Sequence, residues 1–588
     1  MPASPISVRL LRDEKDRLTN INNRFTTMRR LYLTLLLTAL TGIANAQQQF
    51  TGKGVNVVII DTGFDLLHPA FTDEQGNTRI KELFVFMNKD GEQVTVDDDV
   101  KGRYTLNGSV FNTPEAYAEQ KTDLSPMLRQ MAAISHGSHV TGIAAARRSP
   151  FGMEGQAPDC DIYMVSMDGG VPMDGSVTSL NEADVLDEVT TYIINRVAAN
   201  GQPTVVNYSK GQYQGPHDGT GKIAQLMRRL AERGIIFCAA TGNAGRSLHH
   251  LHKAFKGDDD VVRTFIPLHG EDSTDSLQVY TRQGQDISLQ FEIYDRQAAK
   301  VVWTSEAATK DDREKTFNSG SDAALAAVFS GQLAIKHRDW EGGRANVSLS
   351  YMGTANTEDM LLAVVAKGGD GTEADLWSEY NFRSNDIEGY TEGTADINTT
   401  EVAASRHVIS VGNFDATNDT GEMGAIDMTS SFGTMLDGTV APIICAHGQH
   451  VLSCANGQVD GIFDGQYDWD GHPYMVLSGT SMASPYVAGV IATWLEANPN
   501  LTVGDVQTIL RETALQDEHT AEAGPQAGYG KLDKQKALQR VLSMTGIHSV
   551  GTSAPASDNA WYTLEGIRLA GKPTAKGLYI NRGRIYIK

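Results

Sequence analysis

The chain has 588 residues and a mass of 63.6 kDa, enough for several domains at about 150 residues each. Apolar residues make up 40% and charged residues 21%, which excludes a wholly disordered chain, a collagen and a polytopic membrane protein. Lys and Arg total 50 against 72 Asp and Glu, a net charge of −22. That surface repels phosphate backbones and anionic lipid, so no nucleic-acid or membrane-surface partner is expected.

The N-terminal stretch reads as a targeting signal. Met28-Arg29-Arg30 precedes the apolar run from Leu31 to Gly42 and then Ile43-Ala44-Asn45-Ala46-Gln47, which predicts a secretory signal cleaved after Ala46. The run is too short for a membrane span, which needs about 20 residues. Residues 1–27 are polar and lie upstream of Met28, a second candidate start. The expected destination is periplasmic, cell-surface or extracellular. In an oxidising space Cys445 and Cys454 are near enough in sequence to bridge, whereas Cys160 and Cys238 sit in apolar runs as buried thiols.

Past the signal, strand and helix patterns alternate. Val55–Ile60, Asp161–Val165, Thr204–Asn207, Ile235–Ala240 and Val408–Val411 are short runs apolar on both faces, as in the strands of a covered parallel sheet. Glu182–Ala199 and Lys222–Arg233 carry apolar residues at helical spacing. The class is therefore α/β. Between residues 258 and 390 the period changes to two, as in Ile287–Tyr294 and Ala345–Tyr351, which predicts an inserted antiparallel β-sandwich. The expected divisions are a signal region over 1–46, α/β parts over 47–257 and 391–545 with the sandwich between them, and a linker with a β tail over 546–588. The second α/β part ends with a helix over Lys531–Leu542, and Asn581-Arg582-Gly583 in the tail fits a tight turn.

Three dispersed motifs carry chemistry. Asp61 ends its strand in Ile60-Asp61-Thr62-Gly63. His136 opens His136-Gly137-Ser138-His139-Val140-Thr141-Gly142. Ser481 lies in Gly479-Thr480-Ser481-Met482-Ala483-Ser484-Pro485. A hydroxyl is a poor nucleophile at neutral pH and needs a base, which histidine supplies. A buried carboxylate fixes the useful tautomer of that histidine. Each residue alone has an ordinary structural role, Asp61 as a turn or cap residue and Ser481 as a helix cap; their joint occurrence points to a catalytic set. Ala240-Thr241-Gly242-Asn243-Ala244-Gly245 ends a further strand, where a rigid N–H donor can meet a developing alkoxide.

The order Asp, His, Ser and all three signatures resemble the subtilase (subtilisin-like) serine peptidases. The resemblance implies a three-layer subtilisin-like domain, with Asp61, His136 and Ser481 catalytic and Asn243 in the oxyanion hole. It also implies that Ser209, Lys210 and Gly211 bind substrate main chain, with pocket walls from Gly169–Ser176, Ser209–Gly211 and Asn243. Gly215-Pro216-His217-Asp218-Gly219-Thr220 is similar to the Csp-like branch, whose members carry a jelly-roll insert between the oxyanion Asn and the nucleophile. Two features depart from that branch: Gln47–Gly54 alone separate the expected cleavage site from the first strand, leaving no room for a prodomain, and the signal and β tail are added.

The expected activity is secreted serine endopeptidase chemistry on protein or peptide substrates, with no cofactor required. The alternative is a non-catalytic or narrowly processing signalling or binding protein. Structural calcium is common in the family and is assigned no residues here. Asp97-Asp98-Asp99 reads as a solvated acidic loop sooner than a calcium site, and the spacing of His249, His250 and His252 argues against a metal. His139 reads as structural, and Asp65 and His68 as loop-stabilising.

Overall fold

The computed structural model describes residues 50–88, 91–119, 135–167, 182–257, 259–340, 344–417, 423–456 and 467–544, with short strands of the tail. The signal region, residues 169–176 and the turn at 582–583 lie outside the described residues.

Eight strands form the main sheet: β1 (Asn56–Asp61), β2 (Ile80–Phe86), β3 (Gly108–Phe111), β4 (Asp161–Ser166), β5 (Thr204–Tyr208), β6 (Ile236–Ala240), β7 (Ile409–Phe414) and β8 (Ile444–His447), in the order β8-β7-β6-β5-β1-β4-β2-β3. All neighbours are parallel except β2 and β3, so the edge strand β3 runs against the rest. The apolar runs explain this burial. Val57 and Ile59 of β1 face one core, shared with α1 (His136–Ala145) and the long helix that begins at Thr480. Val58 and Ile60 face the other, with α2 (Glu182–Tyr192) and α3 (Lys222–Glu232). The helix from Thr480 to Ala497 is α4. The predicted helix over 182–199 ends as an α-helix at Tyr192 and continues through a π turn, Ile193–Val197, and a 3₁₀ turn, Ala198–Asn200.

Between β6 and β7 the chain builds two antiparallel sheets around their own core, which includes Leu277, Phe291, Leu333, Val347 and Leu376. One sheet has four strands and the other six. The edge strand His250–Ala254 pairs with Glu373–Ser378, so the sandwich begins before residue 258, where the period of the sequence changes. His250 and Leu251 are buried while His252 is exposed, too short an alternation to read as a strand. The segment from Tyr213 to Thr220 receives this insert. His217 and His250 each stack on Trp377, both with centroids 4.0 Å apart. Arg344 pairs with Asp218, and Gln214 Nε2 donates to the Ser276 carbonyl at 3.0 Å.

All four cysteines are free and buried. Cys445 on β8 and Cys454 on Val451–Cys454 belong to different sheets, so the bridge that their spacing allows is not formed. Burial pushes the Cys160 and Cys445 thiols up to about 12.

Burial also holds several imidazoles neutral. Desolvation lowers His139 to about 3 and His68, His217 and His249 to about 4. The unfolded chain binds these protons near pH 6.5 and the native chain does not, so their stabilisation is present above pH 6.5 and is lost as pH falls toward 4. Burial acts oppositely on two carboxyls: Glu182 rises to about 7 and Glu401 well above its usual range, so the native state keeps protons that the unfolded state releases above pH 4.5. Their stabilisation is lost as pH rises. The imidazoles that burial lowers outnumber the carboxyls that it raises, and thermal unfolding from pH 4 to 8 is expected to show greatest stability near pH 6–7. A midpoint that keeps rising below pH 5 would contradict this assignment.

Candidate active site

Asp61 is wholly buried at the carboxyl end of the central strand β1. His136 Nδ1 donates to its carboxylate, at 2.8 Å from Oδ1 and 2.9 Å from Oδ2. Backbone bonds dock α1 on the loop that follows β1: Gly137 N–H donates to Thr62 O at 2.7 Å and Ser138 N–H to Gly63 O at 3.1 Å. A Cβ on Gly137 would lie 2.7 Å from both Thr62 O and the Phe64 ring, so only glycine permits His136 to come this close to Asp61. His139, one turn on, points elsewhere: its Nε2 donates to the carbonyls of Val451 and Met475 at 2.9 and 3.1 Å. Asp65 takes His472 Nδ1 at 2.6 Å and His68 Nδ1 accepts from Ala70 N–H at 3.1 Å, so both organise the loop.

Ser481 occupies the first turn of α4, where the helix dipole is positive. Gly479 caps the helix just before its first residue, and its φ of 139° disfavours a side chain. Pro485 stands four residues after Ser481. It has no N–H to bond the Ser481 carbonyl, and that carbonyl instead accepts from Ser209 Oγ at 2.9 Å. In return Ser481 Oγ donates to the Ser209 carbonyl at 3.0 Å. Asn207 extends the link, with Nδ2 donating to Ser209 Oγ at 3.0 Å and Oδ1 accepting from Ser484 Oγ at 2.7 Å. Thus the end of β5 and the start of α4 are fastened by side chains of which Ser209 and Ser481 were singled out from sequence and Asn207 and Ser484 were given no role.

Asn243 is exposed on the loop after β6. Its Oδ1 accepts from Thr480 N–H at 3.0 Å and Thr480 Oγ at 3.2 Å, and Thr480 Oγ accepts from Gly242 N–H at 3.2 Å. With the oxygen so occupied, the Nδ2 hydrogens remain the free donor end. Lys210 turns toward the acid: its Nζ donates to Thr62 Oγ at 2.8 Å and lies 4.0 Å from Asp61 Oδ1. Gly211 is closed on one side by Thr400, whose Cβ is 2.7 Å from where a Gly211 Cβ would stand.

The acidic run is not a free loop. Asp98 takes Arg229 at 2.5 Å, and Asp99 takes Arg229 and Arg233. His250 and His252 are engaged by Asp375 at 2.9 Å each, and Arg282 by the same carboxylate at 2.6 Å. These contacts engage Asp98, Asp99, His250 and His252 of the two clusters weighed from sequence.

A carboxylate–imidazole pair at β1 and α1, and a serine in the first turn of α4 whose neighbour Thr480 is held by an asparagine, sit on a mostly parallel α/β sheet with a β insert. The sequence profile of the subtilase peptidase family matches residues 52–262 and 276–534, and the chain belongs to that family. Over 545 residues it is 22% identical to the C5a peptidase of Streptococcus pyogenes serotype M3, covering 85% of this chain and 40% of that protein. Over 483 residues it is 24% identical to the minor extracellular protease Vpr of Bacillus subtilis, covering 79% of this chain and 48% of Vpr. The chain thus spans under half the length of these two relatives. Its fold is similar to that of the Clostridium perfringens CspB protease, with a TM-score of 0.60, 19% identity and coverage of 84% of this chain and 96% of that one.

Proposed function

We propose that the protein is a secreted serine endopeptidase that cleaves peptide bonds through an acyl-enzyme. The observation that carries this reading is the Asp61–His136 contact. With Nδ1–H committed to the buried carboxylate, the lone pair of the neutral imidazole resides on Nε2, the atom that must take the serine proton. In the resting chain the Ser481 hydroxyl donates to the Ser209 carbonyl. A substrate strand pairing with Ser209–Gly211 offers its own N–H to that carbonyl and competes for the bond, releasing the hydroxyl to His136. Ser481 Oγ then attacks the scissile carbonyl carbon as its proton passes to Nε2. The imidazolium is stabilised by Asp61, and the oxyanion is met by Asn243 Nδ2 and the Ser481 N–H. His136 returns the proton to the leaving amine. Water repeats the sequence on the ester, with His136 as base and Ser481 as leaving group.

Nucleophile, base and oxyanion donor are all protein groups, so we assign the reaction no cofactor. Calcium, where the fold holds it, would serve stability. Secretion is supported by the Met28–Ala46 pattern and by Vpr, an extracellular protease by name. No helix among the described residues is long and apolar enough to cross a membrane.

The decisive test is a fluorophosphonate probe on the purified mature chain. Wild type is expected to label and Ser481→Ala to remain unlabelled at an unchanged melting temperature. A folded wild type that fails to label would overturn the peptidase reading in favour of a binding or signalling role.

A further inference from the structure

Tyr213 lies where the insert meets the catalytic layers, and three contacts converge on it. Its backbone N–H donates to Glu379 Oε1 of the insert at 2.9 Å. Its ring meets His249, just before the insert's first strand, edge-on at 4.7 Å. Its hydroxyl accepts from the backbone N–H of Asn243 at 3.0 Å. Tyr213 thereby holds the residue whose side chain is the proposed oxyanion donor from below, while Thr480 orients that side chain from above. Glu379 is a partly buried carboxyl whose pKa desolvation raises, and it also accepts from the Gln214 backbone N–H. The insert thus anchors two consecutive amides of the irregular segment that follows β5.

The same side chain narrows the cleft. In the proposed complex, a peptide paired with Ser209–Gly211 and offering its carbonyl to Ser481 and Asn243 would bring the side chain before the scissile bond beside Gly211 and Gly242. Both glycines leave room there, and both gaps are taken. A Cβ on Gly242 would stand 2.6 Å from Tyr213 Oη and 3.0 Å from its Cζ; one on Gly211 would stand 2.7 Å from Thr400 Cβ.

Building on the peptidase reading above, we infer that Tyr213 is both a positioning residue, coupling the β insert to the oxyanion loop, and a specificity-determining residue that limits the position before the cut to small side chains such as Ala and Gly. The coupling follows from the unbroken chain Glu379–Tyr213–Asn243. The size limit follows from the volume that Tyr213 and Thr400 already fill.

Two variants separate these roles from general destabilisation. Tyr213→Phe keeps the ring and removes the acceptor. It is expected to speed hydrogen exchange at the Asn243 amide about five- to tenfold, as one lost hydrogen bond predicts. It should lower kcat by a similar factor with KM nearly unchanged, because the oxyanion hole acts on the transition state. Glu379→Ala, which touches only the backbone of Tyr213 and Gln214, is expected to shift the same two readouts in the same direction. Tyr213→Ala empties the pocket. Across peptides differing only before the cut, it is expected to raise kcat/KM for Leu or Phe relative to Ala by at least about tenfold, the scale of a changed apolar pocket. Melting temperatures accompany each variant.

Unchanged Asn243 exchange in Tyr213→Phe overturns the coupling. Wild-type cleavage after Phe as readily as after Ala overturns the size limit. The exchange measurement needs no turnover, so it decides the coupling even if the fluorophosphonate test rejects catalysis; absent turnover at every peptide by a chain that does label would reject the size limit alone.

Discussion

Alanine at Ser481 or at His136 is expected to lower kcat by about 10⁶, and the double variant is expected to be no slower than either single one, magnitudes taken from subtilisin itself. The structure gives the reason for this non-additivity. In the proposed mechanism His136 carries every proton into and out of the serine's reactions, and Asp61 holds it for that work through 2.8 and 2.9 Å contacts to both carboxylate oxygens. Once either proton partner is gone, the other has nothing to exchange with. Asp61→Asn is expected to cost about 10⁴, since an amide in that position no longer enforces the Nδ1–H tautomer. Single-turnover acylation of a chromogenic ester measures all four proteins. Losses that multiply in the double variant would show that the two residues act at separate places.

Asn243→Ala is expected to lower kcat by about 10²–10³ with little change in KM, again the effect of removing one such donor in subtilisin. The donor matters only when the carbonyl oxygen gains charge, so ground-state binding is nearly untouched. Two features make Asn243 more than a mobile surface amide. Its Oδ1 is tied to the first N–H and hydroxyl of α4, and its N–H is tied to Tyr213. The donor is therefore oriented before substrate arrives, and alanine removes it without touching the backbone bonds. Steady-state kinetics on one peptide decides the matter; a large rise in KM at constant kcat would place Asn243 in ground-state binding.

The central layers were legible because their strands are apolar on both faces, so Val57 to Ile60 announces a covered sheet whatever lies around it. The Asp61–His136 approach was legible from motif and order. Three features were not. The edge strand Gly108–Phe111 is four residues long and its direction depends on a partner far along the chain. The start of the sandwich at His250 is set by pairing with Glu373–Ser378, where Leu251 lies opposite Leu376, 125 residues on and beyond any local period. The aim of Lys210 toward Thr62 depends on a rotamer that main-chain pattern does not encode. Pro485 was a readable clue left unused: four residues after the serine, it announces a carbonyl with no helical donor.

The placement of the insert also orders events in time. Asn243 and Thr480, which hold each other, flank the whole sandwich, and β7, β8 and α4 all emerge from the ribosome after it. At about 5–20 residues per second, the 238 residues from Asn243 to Ser481 take roughly 10–50 s to synthesise. During that interval Asp61 and His136 can exist, but the nucleophile cannot. On the proposed mechanism, a nascent polypeptide of this design is harmless to its own synthesis and export machinery until Ser481 has been made.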